Sequence, residues 1–60
     1  MDKTELLTTL VERADQRDAE LQTVLATETD DAAIYALHEV GRALATLKAA
    51  ATNAANVPTL

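Results

Sequence analysis

Apolar residues recur along the first half of the chain at Leu6, Leu7, Leu10, Val11, Leu21, Val24 and Leu25, with Ala14 between them. The period is about 3.5 to 3.6 residues, the signature of one face of an α-helix. A start signal stands at the beginning. Asp2 is suited to cap the first turn, Glu5 follows three residues later as in a capping box, and Met1 and Leu6 hold the two positions of a hydrophobic staple. The pattern predicts a helix over about residues 2–26. Written as a heptad, Leu7, Ala14 and Leu21 fall at a, and Leu10, Arg17 and Val24 at d. Arg17 is thus a charge at a predicted seam position, with Asp18 beside it at e.

Residues 27–30 carry no large apolar side chain, and their Thr and Asp favour a turn and a new helix start. A second helix is predicted over about 30–52, with Ala33, Ile34, Leu37, Val40, Gly41, Leu44, Leu47 and Ala51 on one stripe. Gly41 costs about 1 kcal/mol against Ala within a helix, so it asks for a packing reason. Asn53, Asn56 and Pro58 end the pattern, and 53–60 read as a flexible tail.

Two helices of similar length joined by a short turn fold back as an antiparallel hairpin, an all-α fold. With the turn centred near residues 28 and 29, Val24 or Leu25 faces Ala33 and Ile34. Further along, Leu21 faces Leu37, Arg17 faces Gly41, Ala14 faces Leu44, Leu10 faces Leu47 and Leu7 faces Ala51. The seam charge of one helix then meets the missing side chain of the other. A lone hairpin leaves half of each stripe uncovered, so assembly as a four-helix bundle or larger helical homo-oligomer is expected.

Composition sharpens that expectation. Hydrophobic residues make up 48% of the 60, but thirteen of these are Ala, and there is no Phe or Trp. A core so thin supplies only about 3–5 kcal/mol without disulfides, metal or a partner chain. Cys is absent, which removes disulfides, thiolate metal sites and cysteine nucleophiles. No apolar run has the length of a secretory signal or a membrane span, and a cytoplasmic location is expected. Ten acids against five bases give a net charge of −5, which disfavours nucleic acid as a partner.

Candidate chemistry is sparse. His38 lies off the stripe and reads as a solvated surface histidine, with no second His or Cys to make a metal site. Residues 12–18 hold five charges, which read as a solvated face, with Arg17 and Asp18 as the exception that can fix register or oligomer state. Tyr35 and Arg42 share a face away from the seam. With Arg13 or Arg17 of another subunit they would form a pocket for an anionic small molecule such as a nucleotide. No nucleophile elbow, phosphate loop, paired-carboxylate cleft or zinc ligand set is present, so no enzyme, cofactor or metal is expected.

The length, the hairpin organisation and the spacing from Leu37-His38 to Leu44 resemble the Rop family of plasmid copy-number regulators, which are homodimeric four-helix bundles. The resemblance implies the architecture; the basic and aromatic RNA-binding face of that family has no counterpart on the acidic first helix. The run Ala33-Ile34-Tyr35-Ala36-Leu37-His38-Glu39 is similar to hairpins of phage-encoded sponges that sequester cyclic nucleotides, which implies a nucleotide-binding oligomer. The reading that takes in most of the chain is a non-enzymatic oligomer that binds another protein as an adaptor, regulator or inhibitor.

Overall fold

A computed structural model describes residues 2–57. Two helices, α1 (Lys3–Thr27) and α2 (Asp31–Ala55), pack against each other as an antiparallel hairpin, with no strand among the described residues. The pair is a rod of about 46 × 15 × 13 Å. One helix accounts for most of that length, because 25 residues at about 1.5 Å each span about 37 Å.

Local chemistry sets the ends. Asp2 Oδ1 accepts from the Glu5 amide at 2.8 Å and so caps α1. In the turn, one Glu28 carboxylate oxygen accepts from the amides of both Thr29 and Asp30 at 3.0 Å, which folds the chain over. Asp30 then caps α2 by accepting from the Ala33 amide at 3.1 Å. The Glu28 amide returns to the carbonyls of Val24 and Leu25, satisfying acceptors that the end of α1 would leave open. α2 runs three residues beyond the 52 expected from the sequence, since Asn53, Ala54 and Ala55 continue the helix with no proline inside it. At the open end of the hairpin Lys3 Nζ donates to the Val57 carbonyl at 3.2 Å, tying the start of α1 to the residues after α2. Met1, Pro58 and the rest of the expected tail lie outside the described residues.

The core is a single seam. Ala14, Leu21 and Ala51 are its buried members, flanked by half-buried Leu7, Leu10, Val11, Asp18 and Leu25 on α1 and by Ile34, Leu37, Gly41, Leu44 and Lys48 on α2. The contact line of α1 thus runs Leu7, Val11, Ala14, Asp18, Leu21, Leu25, which is a and e of the predicted heptad rather than a and d. Two expectations are corrected. Arg17 does not sit at the seam opposite Gly41: its side chain is 71% exposed, and Leu21 occupies that place, with Cδ2 at 3.4 Å from where a Gly41 Cβ would stand. Val24, Val40 and Leu47 are also outside the seam, with 49%, 49% and 41% of their surface exposed.

The register of the hairpin differs too. Gly41 meets Leu21, and Lys48 meets Asp15 and Asp18, which is about one helical turn away from the expected layers. Side chains lean toward the N-terminus of their own helix, about one position each. In an antiparallel pair the two leans are opposed, so a given α1 side chain meets an α2 residue about two positions further from the turn than the backbone alone implies, which accounts for about half of the displacement from Leu37 to Gly41.

Candidate functional site

One charged residue faces the seam from α2. Lys48 belongs to the heptad series Ile34, Gly41, Lys48 and is only 28% exposed along its side chain. Its ammonium lies 3.0 Å from Asp15 Oδ1 and 3.9 Å from Asp18 Oδ2. The hydrogen bond to Asp15 raises the pKa of Lys48 above its ordinary 10.5; partial burial opposes this, and the charges of Asp15 and Asp18 reinforce it. A four-carbon stem covers the apolar layer between Leu44 and Ala51 while the charge reaches the edge of α1. Asp18, not Arg17, is therefore the polar residue of the α1 seam. Both apolar flanks of α1 offer two readings, Leu10 or Val11 and Val24 or Leu25, and the contacts of Lys48 with Asp15 and Asp18 mark the face that meets α2. The signal was present in the sequence as the one charge in the series 34, 41, 48.

On one side of the seam lies an open groove of about 230 Å³, where Thr8 and Glu12 of α1 meet Thr52 and Asn56 of α2 above Leu7, Val11, Ala51 and Ala55. Its position fixes the orientation of everything else. A quarter turn in the opposite sense from the seam leads, on α1, to Leu6, Leu10, Arg13, Arg17, Glu20 and Val24. On α2 the same rotation leads to Ala33, Ala36, Val40, Ala43, Leu47, Ala50 and Ala54. Both series share the other side of the hairpin. This second face exposes Leu6, Val24, Val40 and Leu47, each with more than two fifths of its surface uncovered. Arg13, Arg17 and Glu20 interrupt it on α1 only, with Arg17 Nη1 bonded to Glu20 Oε2 at 2.7 Å. The α2 half carries no charge.

The four residues expected to hold an anionic ligand divide into two pairs. Arg13 and Arg17 lie on the apolar second face. Tyr35 and Arg42 lie on the outer side of α2, about 150° from its seam, where Tyr35 is 71% exposed and Arg42 pairs with Glu39 at 3.5 Å. One protomer does not bring the pairs together. The expected seam residues Leu7, Leu21, Ile34, Leu37, Gly41 and Leu44 do converge between the helices, and Leu10 lies at the border of seam and second face. His38 is exposed, and among the described residues no three His, Asp or Glu side chains stand close enough to hold a metal ion. Neither helix is long and apolar enough to cross a membrane. Comparison with protein-family models, with curated proteins and with solved structures found no match.

Proposed function

We propose that the chain is a non-enzymatic protein that assembles with copies of itself through its second face and acts by binding another protein, as an adaptor, regulator or inhibitor. The supporting observation is an excess of surface. The hairpin exposes 4531 Å², whereas a compact folded monomer of 6.4 kDa exposes about 3,800 Å² by the usual scaling of area with mass. The difference, about 700 Å², is close to the area of about 800 Å² that each partner contributes to a stable interface. Leu6, Val24, Val40 and Leu47 concentrate on one side, so that side is the apolar part of the exposed surface. Covering it would complete a four-helix bundle.

Once that face is covered, the surface left for a further protein is dominated by carboxylates, in keeping with the net charge of −5. A partner with a basic docking surface is the complement of such a field. Sedimentation equilibrium at micromolar concentration tests the assembly: a mass of twice 6.4 kDa or more is expected. A folded species that remains at 6.4 kDa would remove the basis of the reading.

A further inference from the structure

The groove between Thr8 and Thr52 lies on the side of the seam opposite the second face. Two copies joined through their second faces therefore leave one groove open on each outer side. Resting on the function proposed above, we infer that this groove is where the other protein docks, and that it takes an aliphatic side chain carried on a segment rich in lysine or arginine.

The groove is layered. Its floor is aliphatic, with Leu7 and Val11 of α1 beside Ala51 and Ala55 of α2, and its rim is polar. Where α1 brings branched side chains, α2 brings only methyl groups, and about 230 Å³ stays unfilled between them. Pockets that enclose a drug-sized ligand measure roughly 300–1,000 Å³. A smaller hollow, open on one side, suits the end of a partner's side chain better than a whole small molecule.

Charge selects what carries that side chain. Glu12 stands on the rim, and Glu5 lies two turns earlier on the same face of α1, in a shallow hollow that adjoins the groove at Thr8 and Glu12. Among the described residues neither carboxylate pairs with a cation. The next acids along α1, Asp15 and Asp18, share the ammonium of Lys48. Four carboxylates against one ammonium leave a net charge of −3 beside the groove, out of −5 for the chain. Arg13 and Arg17 do not offset it, because they lie on the second face. An acidic segment is repelled from this stretch and a basic one is drawn to it. Seven residues separate Glu5 from Glu12, roughly 10 Å along the helix. A partner helix with basic residues seven apart and aliphatic residues midway between them presents the matching spacing.

A ten-residue peptide serves as probe, with lysine at its second and ninth positions, leucine at its fifth and sixth, alanine elsewhere and both ends blocked. Its control carries glutamate in place of both lysines. Titrated into nitrogen-15-labelled protein, the lysine peptide should shift the amides of Thr8, Glu12, Thr52 and Asn56 with a dissociation constant on the order of 1 mM or lower, and the control should not. Glu12→Gln, at an exposed position, should weaken binding about threefold, as loss of one exposed ion pair does. Ala55→Leu, which fills the groove with a good helix former, should abolish it. Equal binding of both peptides would overturn the basic character of the partner, and binding of neither would overturn the docking site. Shifts confined to Val40 and Leu47 would move the peptide to the second face, and shifts of Thr8 and Thr52 on dilution without peptide would assign the groove to a second copy; either result overturns the inference. Sedimentation of the same samples keeps the two proposals apart. A dimer that ignores the peptide retains the assembly and loses the groove, whereas a 6.4 kDa species that binds the peptide retains the groove and loses the assembly.

Discussion

Gly41→Ala isolates the hairpin seam from the second face, because Gly41 lies on the seam. In a helix interior Ala is favoured over Gly by about 0.8–1 kcal/mol, partly through the lower entropy of the unfolded chain. Its backbone is no obstacle, since no glycine here has positive φ. The new methyl would stand 3.4 Å from Leu21 Cδ2, the terminal carbon of a flexible side chain at ordinary van der Waals distance. The methyl thus fits with at most a small movement of Leu21, and the propensity gain is expected to survive nearly whole. For a domain of this size 1 kcal/mol corresponds to roughly 8 °C in Tm. Circular-dichroism melts at two protein concentrations should show a rise of about 5–8 °C at each, the same at both because the second face is untouched. A fall in Tm would refute the argument and would mean that the helices require the bare backbone of Gly41 to reach their observed separation.

Two further perturbations address the charges. Lys48 gains its hydrogen bond in the folded state, so its pKa is raised on folding and its contribution is complete below the unfolded value of about 10.5 and lost as pH climbs through the higher folded value. Tm is therefore expected to drop above about pH 10.5, and Lys48→Met should flatten that limb; an identical alkaline limb in the variant would exclude Lys48 as its cause. Arg17→Leu removes a charge from the second face and adds apolar area to it, so Tm should rise, more at high protein concentration than at low. Unchanged Tm and unchanged sedimentation mass would mean that Arg17 is solvated in the assembly as it is in the single hairpin.

The two helices, their caps and their turn were legible because each rests on short-range chemistry. Asp2 with Glu5 and Asp30 with Ala33 are contacts three residues apart, and any reader of local pattern can place them. The seam was harder, because α1 carries adjacent apolar residues at Leu6 and Leu7, Leu10 and Val11, and Val24 and Leu25. Such doublets give a helix two usable faces, and periodicity alone does not say which one meets α2. A long-range contact marks it in the folded chain. Lys48 pairs with Asp15 and Asp18 on the side of α1 that meets α2, and Arg17 lies outside with 71% of its side chain exposed. Gly41 was correctly marked as a packing position, but its neighbour is Leu21, since opposed side-chain leans displace the register by more than the turn length reveals. The ligand site drawn from Arg13, Arg17, Tyr35 and Arg42 required faces that one hairpin holds apart.

Those doublets also explain why so small a chain has two apolar faces rather than one wide one. Large residues divide between seam and second face: Leu7, Val11, Leu21 and Leu25 serve the first, Leu6 and Val24 the second, and Leu10 borders both. On α2 the division is sharper, with Ile34, Leu37 and Leu44 inward and an alanine series holding Val40 and Leu47 on the other side. A seam in which, among the described residues, only Ala14, Leu21 and Ala51 are buried leaves little apolar area to stabilise the hairpin alone. Placing four of these twelve large residues outside that seam weakens the single hairpin and strengthens an assembly of two, so folding and association are expected to be coupled. Concentration-dependent melting is the direct consequence of that coupling, and a Tm constant across a hundredfold range of concentration would show that the seam suffices by itself.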